Sequence, residues 1–235
     1  MKSHPGLAVL VAVAACSPLP DAAPAPWPVQ VQLDFTTAAE AAAFEFSDAA
    51  QWRWHDSASQ PALELLGKSD YSPPFRSPHS LAILQDVAFG DFDLDVDLLQ
   101  TSREYGHRDL CLVFGFESPS RYGYVHLATT PDPHAHNVFV VDGAPRRAVA
   151  PVAERGIDWG QGVWRHVRIE RRLAGDTVRV YWEHAQEPIL VATGTGLGWG
   201  RIGLGSFDDS GRFANLVVTA PAVRSGPTAT VFVRR

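Results

Sequence analysis

The sequence predicts an all-β protein built as one antiparallel β-sandwich. Three observations predict it. Short segments of alternating polar and apolar residues recur from Val29 to Thr219. Turn-forming clusters such as Asp142-Gly143, Ala174-Gly175-Asp176 and Asp208-Asp209-Ser210-Gly211 separate them, and one short segment alone has helical character. A chain of 235 residues, 46% hydrophobic and 20% charged, is long enough for a single large domain with a real core.

Val29 to Phe35 alternates with period two and predicts the first strand. Thr37 to Phe44 begins with a capping threonine and continues in Ala and Glu, which predicts a short helix. Trp52–Trp54 and Leu63–Leu66 are brief strands, followed by a loop, Lys68 to Ser80, that carries three prolines. Further strands are expected at Phe92–Leu99, Leu110–Phe116, Tyr122–Leu127 and Val138–Val141. Trp164–Arg171, Thr177–Glu183, Ile189–Thr193, Arg201–Phe207 and Phe213–Thr219 complete about a dozen, the count of a sandwich. No internal repeat or second linker divides this run, so residues 29–220 are expected to form one domain. The tail, residues 221–235, reads either as an extra edge strand or as a disordered end.

The N-terminus reads differently. Lys2 precedes an apolar run from Gly6 to Ala15 and then Cys16, too short to span a bilayer as a helix. It resembles a bacterial lipoprotein signal peptide over residues 1–15, with Val13-Ala14-Ala15-Cys16 as the lipobox and Cys16 as the lipidated residue. Residues 16–28 are rich in Pro and Ala, which suits an extended tether. The expected location is the cell envelope, anchored by lipid alone and facing the periplasm or the exterior. With Cys16 lipidated, Cys111 has no disulfide partner within the chain. A formal charge of −6 and no basic block longer than an Arg pair exclude a nucleic-acid footprint.

The closing strands carry a resemblance. Trp164-x-x-Val167-Arg168-Ile169, Gly175-Asp176-x-Val178-x-Val180-Tyr181, Trp199-Gly200-Arg201-Ile202-Gly203-Leu204 and Phe213-x-Asn215-Leu216-x-Val218 resemble the last strands of concanavalin A-like jelly rolls. Laminin-G-like and 3-keto-disaccharide hydrolase-type domains share that series. The resemblance implies a curved jelly roll whose concave face holds a carbohydrate. Family 16 glycoside hydrolases, on the same fold, carry paired carboxylates as ExDxxE, and this sequence has no such motif.

The stretch Tyr105–Arg147 holds four of the nine histidines and concentrates the chemistry. If Glu117–Ser120 is a hairpin loop, Cys111 faces His126, Val113 faces Tyr124 and Gly115 faces Tyr122. Alternation then gives Leu110, Leu112, Phe114, Phe116, Val125 and Leu127 to the core, and Asp109, Cys111, Tyr122, Tyr124 and His126 to the other face. That second face is a candidate sugar platform, because aromatic rings meet the C–H side of a pyranose while polar atoms meet its hydroxyls. Cys111 opposite His126 also permits a thiolate–imidazole pair, against the plainer reading of a small buried residue.

Pro131 to Asn137 is the second constellation. His134 and His136 share a side if extended, and with Asp132 or His126 they are candidate ligands for a divalent metal such as zinc. Arg108, Arg146 and Asn137 join the candidate ligand-binding set, with Arg146 or Arg147 suited to an acidic sugar carboxylate. Asp91, Asp93, Asp95 and Asp97 share one face of a strand, which reads as a solvated face with calcium as the alternative. Asp208 to Gly211 reads as a tight hairpin turn, again with a calcium alternative.

The leading expectation is a carbohydrate-recognising module for an oligo- or polysaccharide. One alternative is a polysaccharide lyase or glycoside hydrolase with His126 as base and Tyr124 as acid. The other is a non-catalytic scaffold domain of the envelope.

Overall fold

A computed structural model describes residues 26–227 and residue 232. The expected signal peptide, Cys16 and most of the tether therefore lie outside the described residues. In chain order come β1 (Val29–Leu33), a helix α1 (Ala38–Ala41), β2 (Phe44–Phe46), β3 (Trp52–His55), β4 (Ala62–Leu65), β5 (Ser80–Leu84), β6 (Val87–Phe89) and β7 (Phe92–Gln100). The central strands are β8 (Asp109–Ser118), β9 (Arg121–Ala128), β10 (Asn137–Asp142) and β11 (Arg147–Ala148). Then follow β12 (Trp164–Arg172), β13 (Thr177–Trp182), β14 (Leu190–Thr193), β15 (Arg201–Ser206), β16 (Gly211–Thr219) and β17 (Val223–Ser225).

These strands form two antiparallel sheets. One is eight-stranded in the order β14-β13-β12-β7-β16-β4-β3, with β1 also on β16; the other is seven-stranded in the order β11-β10-β9-β8-β15-β5-β2. A two-stranded pair, β6 with β17, sits apart. The main core fills the space between the sheets. Strand β7 shows how: Phe92, Leu94, Val96 and Leu98 are buried in that core, while Asp93, Asp95 and Asp97 face out. Each such aliphatic or aromatic burial stabilises by roughly 1.5–3 kcal/mol.

The all-β sandwich is as the periodicity predicts, and each expected strand is present within a few residues. The helix is shorter than expected. The Glu40 carboxylate accepts from the Thr37 backbone N–H at 2.9 Å, which fixes the start of α1. It ends at Ala41 because Phe44 is drawn into β2, where it pairs with Leu84 of β5 and enters the core. Strands β2, β5, β6 and β11 were not expected, and β17 falls in the tail, for which an extra edge strand was one of the two readings. Strand β5, SLAIL, is buried along its whole length, so it shows a continuous apolar run without alternation. The turn Asp208 to Gly211 is not a hairpin: it joins β15 in one sheet to β16 in the other. Among the described residues no helix is long and apolar enough to cross a membrane.

Candidate functional site

The site is built on the outer face of the seven-stranded sheet. The β8–β9 hairpin has the expected register at its open end, with Asp109 opposite Ala128, Cys111 opposite His126 and Val113 opposite Tyr124. The register breaks after Phe114. Gly115 takes φ +58°, a bulge conformation suited to glycine, and the next pair is Ser118 with Arg121. Gly115 therefore does not face Tyr122. Phe116, expected in the main core, is turned to the outer face beside Tyr122.

That outer face is not an open platform. Tyr71, Phe75, Phe207 and Phe232 pack over Cys111, Val113, Phe116, Tyr122, Tyr124 and Phe139, forming a second apolar cluster. Tyr122 and Tyr124 are fully buried within it. The expected exposed row Tyr122–Tyr124–His126 is corrected accordingly: the proline-containing loop and the residue Phe232 supply a layer of cover. Burial of large aromatic rings makes such cover strongly favourable.

One end of this face remains open as a cleft of about 490 Å3. It is lined by the guanidinium groups of Arg76 and Arg146 and the imidazoles of His79, His107, His126 and His134. Its acidic lining is Asp109, Asp132 and Asp208, and Tyr105 and Phe207 supply aromatic walls. Arg76 is exposed and makes no ion pair among the described residues.

Arg146 is the most constrained of these groups. Its guanidinium lies 4.5 Å from the Phe139 ring centroid and 4.6 Å from that of Phe207. Nη1 donates to the Tyr124 hydroxyl at 2.7 Å, and Nη2 donates to the His134 carbonyl at 2.8 Å. Burial pushes the Tyr124 phenol well up despite the opposing charge of Arg146, so the phenol stays neutral. Tyr124 thus lies beneath the cleft, supporting Arg146, and does not line it.

At the floor, Asp109 and His126 line the cleft and meet the fully buried Cys111, which does not line it. The Cys111 thiol donates to Asp109 Oδ2 at 3.2 Å, and His126 Nε2 lies 3.4 Å from the same oxygen. Asp109 is held by the Phe207 backbone N–H at 3.2 Å and the Ser206 hydroxyl at 3.2 Å. Neither ring nitrogen of His126 has a hydrogen-bond partner among the described residues, although the residue is only 5% exposed. Burial, reinforced by Asp109, pushes the Cys111 thiol well up, which opposes a thiolate nucleophile.

The remaining expected residues are placed elsewhere. Asp132 and Ala135 exchange backbone hydrogen bonds at 3.4 and 3.3 Å, so the segment is a tight turn and not extended. His134 faces the cleft, while His136, at φ +50°, is buried and accepts the Ala128 N–H on Nδ1 at 3.3 Å. Burial, aided by the charge of His126, lowers His136 to about 4 and keeps it neutral. The expected His134–His136 metal pair is not formed. Asn137 bonds the backbone of Ala150 and Pro151. Arg108 is buried, donating to the Gly160 carbonyl at 3.0 Å with Glu104 at 3.8 Å. Of the expected set, Asp109, His126, His134 and Arg146 line the cleft; Tyr122, Arg108, His136 and Asn137 do not.

Arg76, His79, Tyr105, His107, Phe207 and Asp208 line it without having been expected. His107 lay within the stretch singled out, but Arg76 and His79 come from the proline-containing loop, far away in sequence. Of the four aspartates in that row, Asp93, Asp95 and Asp97 meet partners on β12, and Asp91 accepts the Leu173 backbone N–H. Arg172 donates to Asp93 at 2.7 Å, and His166 sits 3.0 Å from Asp95 and 3.1 Å from Asp97. Asp209 accepts from the Tyr105 hydroxyl at 2.8 Å and the Asp109 N–H at 2.7 Å, making its turn a structural bracket.

No protein-family model matches the chain, and no curated protein matches it by sequence. Among solved structures, the fold is similar to that of the carbohydrate binding module CBM66 from Bacillus subtilis. The TM-score is 0.53 at 14% identity, covering 76% of this chain and 96% of that one. A protein of unknown function with a galectin-like fold, also from Bacillus subtilis, gives 0.56 at 10% identity, covering 83% and 97%. At such identities the similarity speaks for fold alone, and the fold is a lectin-like antiparallel jelly roll.

Proposed function

We propose that the cleft binds a glycan carrying acidic groups, as the recognition module of an envelope protein anchored through Cys16. The observation that carries this is Arg146, clamped between Phe139 and Phe207 at the wall of a cleft that also holds the exposed Arg76. A guanidinium immobilised before binding offers donors to a carboxylate or sulfate at little entropic cost. Phe207 and Tyr105 supply flat apolar surface for a sugar ring beside those charges. The fold similarity to a carbohydrate binding module supports the same ligand class.

Binding is favoured over catalysis by the position of Tyr124. An acid–base mechanism needs its hydroxyl within hydrogen-bond reach of the leaving oxygen. Here that oxygen is buried and occupied by Arg146. The test is a panel of neutral, uronate-containing and sulfated polysaccharides, read by binding and by product release. Retention of acidic members without any product supports the proposal; unsaturated or reducing-end products would replace it with the enzyme, and no glycan binding at all would leave a scaffold. For the anchor, Cys16→Ser should release the protein from membranes, and unchanged membrane retention would reject the lipid attachment.

A further inference from the structure

Asp109 and His126 at the floor of the cleft, with Cys111 buried against them, form a juxtaposition that the proposed glycan binding does not use. Asp109 and Cys111 are two residues apart on β8 and so project from the same face, and Cys111 lies directly across from His126 on β9. One carboxylate oxygen, one sulfur and one imidazole nitrogen all lie within 4.8 Å of one another. The sulfur is 3.2 Å and the nitrogen 3.4 Å from the same Asp109 oxygen. Zinc bond lengths of about 2.0–2.3 Å in a tetrahedron put neighbouring ligand atoms roughly 3.3–3.7 Å apart. Two of the three separations are close to that spacing before any ion is bound, and the third, sulfur to nitrogen, lies within 4.8 Å.

A second observation points the same way. His126 lines the cleft, is 5% exposed, and has both ring nitrogens without a hydrogen-bond partner among the described residues. Buried imidazoles ordinarily find a donor or acceptor, because a desolvated nitrogen left alone is costly. Asp109, in contrast, is steadied from behind by the Phe207 N–H and the Ser206 hydroxyl. Outer hydrogen bonds of this kind orient the ligands of metal centres.

We propose that Asp109, Cys111 and His126 form a zinc site at the floor of the cleft, with its fourth position open to the cleft. A sulfur–nitrogen–oxygen set selects a borderline-soft ion over calcium or magnesium, which take oxygen ligands. Three protein ligands leave a position for water or a ligand group. On binding, the Cys111 S–H bond breaks, its proton passes to solvent, and a sulfur–zinc bond forms; zinc stays divalent throughout. The hydrogen bond from Cys111 to Asp109 is replaced by coordination of both groups to the ion. The neighbouring acidic trio Asp109–Asp208–Asp209 is a poorer alternative, since Asp209 is already occupied by Tyr105 and a backbone N–H.

The site stands independently of what the cleft binds, and cobalt(II) titration of the metal-free, reduced full chain tests it. The expected result is uptake of one equivalent with tetrahedral d–d bands and a thiolate-to-cobalt charge-transfer absorption. Cys111→Ser should abolish the charge-transfer band and Cys16→Ser should keep it, while His126→Gln and Asp109→Asn each weaken affinity at least tenfold. No uptake near stoichiometry, or a band that survives in Cys111→Ser, would overturn the site. If Cys111→Ser does not fold, His126→Gln decides: unchanged cobalt affinity in that variant is equally fatal.

Discussion

The guanidinium of Arg146 donates a 2.7 Å hydrogen bond to the hydroxyl of Tyr124 while its Cζ lies 4.5 Å from the Phe139 ring centroid and 4.6 Å from that of Phe207. Tyr124 is thereby a support for a binding residue and not an actor on substrate. Its hydroxyl is buried beneath the cleft, and its ring stacks on Phe139 at 5.5 Å between centroids. Tyr124→Phe should keep the fold but loosen Arg146, weakening glycan binding about threefold to tenfold. Isothermal titration calorimetry checks this; unchanged affinity would show that the hydrogen bond does not position Arg146.

Arg146→Lys should behave almost like Arg146→Ala. A lysine keeps the charge but cannot lie as a plane between Phe139 and Phe207 while reaching both Tyr124 and the His134 carbonyl. The expected loss is about tenfold or more in affinity, with near-native circular dichroism. Full binding in the lysine variant would reduce Arg146 to a diffuse charge.

His166 should impose an alkaline limit on stability. It bridges Asp95 and Asp97, whose hydrogen bonds raise it from 6.5 to about 9 against the opposing effect of burial. Arg168, Tyr181, Glu183 and His184 also face this spot, with Gln60 and Asn215 bonded to Asp97. A histidine raised in the fold stabilises fully below its unfolded value and loses that contribution as pH climbs through the folded value. Urea unfolding should show about 1–2 kcal/mol lost from about pH 6 to about pH 10, after discounting for solvent screening. His166→Gln should flatten that slope; an unaltered slope would place it elsewhere. Asp97 acts oppositely, being held low mainly by His166 and Asn215 against burial, so its share fades as pH falls through its lowered value.

Gly115→Ala should destabilise by about 1–2 kcal/mol from its left-handed backbone alone. An added Cβ would also lie 3.3 Å from Leu197 Cβ. Because the bulge turns Phe116 outward, the variant should disturb the outer aromatic cluster, visible as altered near-ultraviolet circular dichroism. A thermal midpoint equal to that of the unaltered chain would contradict the bulge.

Phe232→Ala should cost about 2–3 kcal/mol, at or below the lower end for large aromatic truncations. Phe232 packs edge-on to Tyr71 at 5.3 Å and against Phe116 at 6.0 Å. Loss of less than about 0.5 kcal/mol would show that the cluster is closed without it.

The contrast between these residues explains what was legible in the sequence. Period-two alternation in β7 reports a strand with one wet face, and it located that strand and its core side correctly. The pairing of Cys111 with His126 is as expected although the loop is not: pairing continues to Ser118 with Arg121, and the extra residues of the bulge offset the shorter turn. Alternation cannot say whether a polar face is covered, and Tyr122 and Tyr124 are covered by residues far along the chain. Nor does local pattern reveal that Arg76 and His79, in the proline-containing loop, reach the cleft. The glycine bulge reversed Phe116 because β8 gains one residue against β15 between the Val113–Gly203 and Phe116–Arg201 pairs, which exchanges its face.

The central claim is that the Arg146 cleft recognises an acidic glycan. The most direct measurement is calorimetric titration with one uronate-containing polysaccharide before and after chemical reduction of its carboxyl groups, using the unaltered chain and Arg146→Ala. The account predicts binding of the acidic polymer that falls at least tenfold on reduction, and a similarly large loss with Arg146→Ala. Equal affinity for both polymers, or full binding by Arg146→Ala, would contradict it.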